Sequence, residues 1–165
     1  MRIAILAAAL FMLTGPALAQ TEMDRAESAV RDSMAAEPGI AVERVSPDEI
    51  RIRMPSDITF DFDRAEVKRQ FMPRVHDLAR TLNAYPSLSI AIIGHADALG
   101  SDHYNLELSE RRAHAVGAAL MSDGVPYRRI AASGRGEWEP IASNAHEWGR
   151  AQNRRVEIRL NSKQK

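Results

Sequence analysis

The stretch "LSIAIIGHADALGSDHYNLELSERRA", residues 88–113, decides the fold. Its first seven residues form a continuous, mainly apolar run of strand length, which predicts a central strand buried on both faces. A glycine-bounded loop that contains Asp97 follows. A helix capped by Ser101 or Asp102 comes next and ends near Asp123-Gly124. Its apolar stripe is predicted at Tyr104, Leu108, Val116, Ala119 and Leu120.

The flanking segments repeat this alternation of strand and helix. Residues 40–54 alternate in polarity around a turn at 46–48, which predicts a hairpin, and residues 55–67 are predicted to begin as a short strand. Apolar residues at helical spacing predict a helix from near 69–72 to Tyr85-Pro86. Two more strands are predicted at residues 129–136 and 154–160. A long polar loop at 137–151 connects them.

These elements predict an α/β fold. We expect a small two-layer sandwich of the order βαβαβ-β, with helices packed on a mixed parallel and antiparallel sheet. Ligands in such sheets tend to bind beyond the carboxyl ends of the strands. Asp97 lies just past the end of the predicted central strand, so the sequence places a candidate site there.

The N-terminal residues have the pattern of an export signal. Arg2 precedes an apolar run at 3–13, and a small-residue site at 17–19 comes before Gln20. Because the run is shorter than a membrane span, we interpret 1–19 as a cleaved signal peptide, with an uncleaved anchor as the alternative. Three segments are expected after it: a leader, helical or flexible, at 20–39, a folded domain at 40–162 and a tail at 163–165.

The composition limits the class of protein. The chain has no cysteine, which excludes disulfides and a lipid carried on an N-terminal cysteine. Its 22 basic and 22 acidic residues balance, whereas nucleic-acid binders usually carry a basic excess. We therefore expect an exported periplasmic chain with no nucleic-acid partner, no cofactor and no membrane span after the signal.

Arg112 is the residue that the helix pattern leaves unexplained. It lies four residues after Leu108 and four before Val116, so it shares their apolar face. A guanidinium on a buried face needs an anionic partner. One interpretation is an internal salt bridge with Asp97 or a neighbouring carboxylate. The other is a clamp, in which Asp97 takes the ammonium and Arg112 the carboxylate of one zwitterionic ligand.

Several motifs occur together in a fixed order: "FDFD" (60–63), "GHADALGSDHYN" (94–105), "LSERRA" (108–113), "GRGEWEPIASN" (134–144) and "GRAQNRRVEI" (149–158). In order and spacing they resemble the OmpA-like C-terminal domain, a family that includes small outer-membrane-associated proteins of the YiaD and Pal types. The resemblance covers about residues 40 to 162. Ala96 is a departure, since the family often has Thr there.

This resemblance implies non-covalent binding of peptidoglycan through the diaminopimelate of its stem peptide, without catalysis. Asp97 would hold the ammonium and Arg112 the carboxylate, with Asp61, Asn105 and Arg154 as further contacts. Such binding would tether the cell wall to the envelope or to a partner. Outer-membrane or envelope proteins are further candidate partners, and whether the chain forms a homodimer stays open.

A metal site is a competing interpretation, because His95, Asp97 and His103 are close in sequence. One histidine follows a glycine and the other opens a helix, whereas metal sites need three or four convergent ligands. We therefore expect no metal.

Two different functions, a wall hydrolase and a partner-binding adaptor, compete with wall binding. A hydrolase would need a serine nucleophile, and Ser101, Ser109 and Ser133 all lie outside a Gly-x-Ser-x-Gly elbow. Trp138 and Trp148, in the long polar loop, would favour an adaptor if exposed, or would hold the loop down if buried.

Overall fold

The computed structural model describes residues 15–162, with side chains from residue 20 onward. A 3-10 turn at Tyr127–Arg129 precedes the fourth strand. The helices are α1 Gly15–Met34, α2 Ser56–Thr59, α3 Met72–Ala84, α4 Asp102–Ser122 and α5 Glu147–Asn153. The strands are β1 Ala41–Ser46, β2 Glu49–Pro55, β3 Leu88–His95, β4 Ile130–Gly134 and β5 Arg155–Ser162.

The strands form one sheet in the order β1-β2-β5-β3-β4. The hairpin β1–β2 is antiparallel, β3 and β4 are parallel, and β5 is antiparallel to both β2 and β3. The predicted α/β class and mixed sheet are therefore confirmed. The last strand, β5, lies in the centre of the sheet, and β3, which was expected to be the central strand, lies beside it. Alternating polarity in a sequence indicates which segments form strands. It does not determine which strands are neighbours in the sheet.

One face of the sheet holds the core. Neighbouring strands meet there in matched apolar pairs, such as Ile52 with Ile158 and Met54 with Val156, and all four side chains are buried. Helices α1, α3 and α4 supply the other half of this core. The opposite face carries alternating charged residues, with Arg53 paired in register with Glu157. The period of two therefore separates a core face from a charged face.

Most of the leader segment lies in helix α1, which packs in the same core as the other helices. Met23, Ala26, Val30 and Met34 lie at helical spacing along α1 and are all buried, in the same core as α3. Arg44 of β1 forms ion pairs with Asp24 and Glu27 of α1. Residues 20–34 of the segment 20–39 are thus helical in the structure, and residues 35–39 lie beyond the helix. The predicted signal peptide falls largely outside the described residues, which begin at 15, and the tail at 163–165 falls wholly outside them.

Two local predictions are wrong. The short strand expected at the start of 55–67 is the single helical turn α2, in which Thr59 Oγ1 donates to the Pro55 carbonyl at 2.9 Å. The long polar loop at 137–151 contains the start of α5. Glu147 and Arg150, three residues apart in that helix, form an ion pair at 2.8 Å. Both helices are too short to produce a readable apolar period.

Two glycines allow α4 to lie very close to the sheet. A Cβ added to Gly94 of β3 would lie 2.0 Å from the Ser109 carbonyl oxygen, and one on Gly134 of β4 would lie 2.5 Å from Ser109 Oγ. Side chains larger than hydrogen would therefore push the helix away. This contact fixes the position of α4 relative to the carboxyl ends of β3 and β4.

Candidate functional site

A cleft of about 500 Å³ opens beyond the carboxyl end of β3. Its walls come from the loop after β3, the first half of α4, residues 57–68 and the junction of α5 with β5. The location agrees with the preference of α/β sheets for ligands at this edge. All of the predicted ligand-binding residues line it: Asp61, Asp97, Asn105, Arg112 and Arg154.

Asp97 is buried at one side of the cleft, with 7% of its surface exposed. Its Oδ1 accepts a hydrogen bond from the Leu99 backbone amide at 2.9 Å, which orients the carboxylate within its loop. Its Oδ2 accepts one from Arg154 Nη1 at 2.8 Å. A carboxylate has about four acceptor positions, so Asp97 retains the capacity to accept from a ligand.

Arg112 is buried as well, with 6% exposed. Its Nε donates to the Arg64 carbonyl oxygen at 2.9 Å, and its guanidinium carbon lies 5.1 Å from the centre of the Phe60 ring. Burial lowers the pKa of Arg112, while nearby Asp57 counteracts this effect. The described residues provide no ion pair for it, so its charge lies in the cleft wall without a direct counter-ion.

The internal salt bridge between Asp97 and Arg112 is therefore absent from the described structure. Arg154, and not Arg112, forms the salt bridge with Asp97. Besides Asp97, it binds Asp57 Oδ2 at 3.1 Å and Glu147 Oε1 at 2.8 Å. These hydrogen bonds raise the pKa of Arg154, and the hydrogen bond with Asp57 has the largest effect. The hydrogen bond from Arg154, followed by that from Arg150, lowers the pKa of Glu147.

Asn105 and Asp61 occupy different positions in the cleft. Asn105 is buried, and its Nδ2 donates to the carbonyl oxygens of Asp97 and Leu99, both at 3.1 Å, and to Glu137 Oε2 at 2.7 Å. It therefore holds the loop that carries Asp97. The Asp61 side chain is 76% exposed at the rim, 3.7 Å from Lys68 Nζ.

Sequence reasoning missed the acidic partners of Arg154. Asp57 precedes the motif "FDFD", and Glu147 lies in the segment predicted to be a loop, so neither stood in a recognisable pattern. Tyr104 was predicted to join the apolar stripe of α4, but 38% of it is exposed. Its hydroxyl donates to Asp63 instead, and this hydrogen bond raises the pKa of Tyr104.

The residues considered for a metal site do not converge. His95 is buried, whereas the His103 side chain is 84% exposed and pairs with Glu107. Within residues 15–162 there is no cluster of three or more histidine or carboxylate side chains able to hold a metal ion. The same part of the chain contains no helix with the length and apolarity needed to cross a bilayer.

Two of the three serines considered for a hydrolase, Ser101 and Ser109, serve local structure, and Ser133 lies in β4. Ser101 Oγ accepts from the Tyr104 amide as the N-cap of α4. Ser109 Oγ donates to the Leu106 carbonyl and accepts from the Gly136 amide. The two tryptophans are exposed, Trp138 by 64% and Trp148 by 63%. The interpretation that they pack beneath the loop is therefore wrong.

Comparison with known proteins identifies the family. The OmpA family model matches residues 59–154, which is more than half of the chain, and the protein belongs to that family. It is 41% identical over 138 residues to "Probable lipoprotein YiaD" of Escherichia coli, covering 84% of this chain and 62% of that one. The chain thus spans a little under two thirds of this relative.

Solved structures agree with this assignment. The cell wall anchor of the type VI secretion system from Pseudomonas aeruginosa superposes with a TM-score of 0.72 and 30% identity, over 81% of this chain and 97% of that one. The peptidoglycan-associated lipoprotein from Burkholderia pseudomallei gives a TM-score of 0.59 and 33% identity, over 66% and 89%. The cleft thus lies in a fold shared with these proteins.

Proposed function

We propose that this protein binds peptidoglycan non-covalently and anchors the cell wall within the envelope. Membership of the OmpA family supports this function, as do solved relatives whose names describe a cell wall anchor and a peptidoglycan-associated lipoprotein. The observation that carries the proposal is the pair of buried opposite charges in one cleft. Asp97 and Arg112 both line it, and the described structure does not pair them with each other.

The ligand group that fits this pair is the zwitterionic end of diaminopimelate. Asp97 accepts hydrogen bonds from the ammonium group through the carboxylate lone pairs that Arg154 and the Leu99 amide do not use. Arg112 donates from its Nη groups to the carboxylate, since its Nε is already used by the Arg64 carbonyl. Hydrogen bonds between charged groups contribute roughly 1.5–3 kcal/mol each, and a guanidinium can grip a carboxylate with two of them.

A single stem peptide would be held weakly by so few contacts. The wall repeats the same group many times, so a molecule that dissociates rebinds nearby and stays on the polymer. No reacting group is needed for this function. Binding takes place in the periplasm, to which the predicted signal peptide at 1–19 would direct the chain.

Co-sedimentation with purified sacculi tests the proposal. The wild-type chain is expected to pellet with the sacculi, while Asp97→Ala and Arg112→Ala stay in solution. Arg111→Ala is the matched control, because Arg111 is the adjacent residue on α4 and its side chain is 52% exposed. Circular dichroism establishes that each variant is folded. Equal pelleting of the folded Asp97 and Arg112 variants and the wild type would contradict the proposal.

A further inference from the structure

Two aromatic residues, His146 and Trp148, flank the cleft residue Glu147 in sequence and take no part in the charged clamp. The rings of His146 and Trp148 are nearly parallel, with an interplanar angle of 13° and centroids 6.4 Å apart. Both residues are exposed. The stacked pair is therefore an exposed aromatic surface at the start of α5.

Sequence neighbours of this aromatic pair connect it to the wall of the cleft. Asn144 Oδ1 accepts from the Ala98 amide at 3.2 Å, which ties the segment to the residue that follows Asp97. Glu147, between the two aromatic residues in sequence, lines the cleft and binds Arg154 at 2.8 Å. A ligand that occupies the cleft and extends past Glu147 would therefore reach the part of the chain that carries the aromatic pair.

The segment is also held firmly from inside. Asn153 is fully buried; its Oδ1 accepts from the Ile141 and Ala142 amides, and its Nδ2 donates to Asn144 Oδ1 at 2.8 Å. Gly149 lies so close to Ser143 that an added Cβ would be 2.0 Å from the Ser143 carbonyl oxygen. A backbone that is already held in place loses little conformational entropy when a ligand binds to the side chains it carries.

Peptidoglycan joins its stem peptides to sugar rings, and a pyranose ring has an apolar face of C–H groups. Such a face packs flat on an aromatic ring while its hydroxyl groups remain in water, which suits an exposed tryptophan. We propose that His146 and Trp148 form a stacking platform for a sugar ring of the peptidoglycan glycan, adjoining the Asp97–Arg112 cleft. This inference rests on the proposed function and adds a second subsite to it.

Trp138 provides an internal control, because it is exposed to the same degree but has different neighbours. Glu137 on one side binds Asn105, and Glu139 on the other pairs with Arg135. Neither glutamate lines the cleft. The sugar of a bound fragment is therefore expected to contact Trp148 and not Trp138.

The experiment compares two probes by calorimetry or NMR titration: a disaccharide–tetrapeptide muropeptide and the same tetrapeptide without sugars. For the wild type and Trp138→Ala, the muropeptide is expected to bind about 3- to 10-fold more tightly than the free peptide, the range expected for one aromatic stacking contact. For Trp148→Ala, the two probes are expected to bind equally, with the affinity for the free peptide unchanged. His146→Ala is expected to lose part of the sugar-dependent gain.

Two results would overturn the platform and leave the proposed function standing. One is that the wild type binds the free peptide and the muropeptide equally. The other is that a folded Trp148→Ala variant keeps the full gain from the sugars. If the wild type binds neither probe, the proposed function fails and the platform fails with it.

Discussion

Arg154 Nη1 lies 2.8 Å from Asp97 Oδ2, so the acid of the proposed clamp has a cation partner before any ligand arrives. The same guanidinium binds Asp57 and Glu147. One arginine therefore keeps three carboxylates close together in the wall of a cleft. Without it, their mutual repulsion would disturb the orientation of Asp97.

Arg154→Gln is expected to raise the pKa of Glu147 towards its ordinary value. Arg154 is the largest cause of the low pKa of this carboxyl group, and Arg150 is the next. Carbon-detected NMR titration of the glutamate carboxyl measures the change directly. Arg150→Gln is the control and should raise the pKa by less. A Glu147 pKa that is the same in Arg154→Gln and the wild type would show that the hydrogen bond is not maintained in solution.

His95 is expected to make the fold less stable in weak acid. It is 1% exposed, both ring nitrogens lack hydrogen-bond partners in the described structure, and burial, with Arg155 next in effect, lowers its pKa from 6.5 to about 4. Because the unfolded chain then binds the proton more tightly, stability falls as the pH drops from about 6.5 to about 4. The loss from this residue is at most about 3 kcal/mol.

Urea denaturation at several pH values between 7 and 4 checks this expectation. His95→Phe should remove most of the decline in this window, whereas His114→Gln, on the exposed surface of α4, should keep it. Glu157 adds its own loss only below about pH 4.5. Burial alone would raise the pKa of Glu157, but hydrogen bonds from Arg155 and Arg159 hold it at about 2. An unchanged pH dependence in His95→Phe would contradict the assignment to His95.

Gly94→Ala is expected to destabilise the fold by about 1–3 kcal/mol, because the new methyl group would overlap the Ser109 carbonyl oxygen. Gly117→Ala is the matched control. A Cβ at Gly117, inside α4, meets its nearest atoms at an ordinary 3.5 Å, and alanine favours the helix by about 1 kcal/mol over glycine. The midpoint of chemical denaturation should therefore fall for Gly94→Ala and rise for Gly117→Ala. A neutral Gly94→Ala would show that α4 can move away from β3 without cost.

Val30→Ala is expected to destabilise the whole domain by about 1–3 kcal/mol, since a buried side chain in α1 loses apolar contacts and leaves a cavity. Ser28→Ala, at an exposed position of the same helix, should have little effect. The midpoints of thermal unfolding of the two variants and the wild type are compared. Equal midpoints for Val30→Ala and the wild type would mean that α1 is a loose leader after all.

Much of the fold could be predicted from local patterns. The hairpin turn at 46–48, helix α3 and helix α4 with its Ser101 cap have strong local signals, and each is found in the structure. The central position of β5 depends on pairing between residues 60 to 112 positions apart in sequence. No local pattern encodes such pairing, so it could not be read from the sequence.

For the candidate site, the sequence indicated Arg112 and four other residues of the cleft, and it missed the acidic partners of Arg154. Arg112 on an apolar helix face was recognisable because a buried guanidinium is costly. The motifs then indicated Asp97, Asn105, Asp61 and Arg154, all of which line the cleft. The hydrogen bonds from Arg154 to Asp57 and Glu147 join residues 97 and 7 positions apart. They depend on side-chain geometry that emerges only after folding.

The close contact of Gly94 with Ser109 has a consequence for selectivity. Asp97 follows Gly94 by three residues, and Arg112 follows Ser109 by three, so the contact that joins strand to helix also sets the distance between the two charges. A clamp with a fixed separation acts as a gauge of ligand length. The proposed clamp would accept an ammonium and a carboxylate on the same carbon, and it would reject a plain lysine side chain, which supplies the cation without the anion. The chemical identity of the wall would thus be checked by a spacing that two glycines maintain.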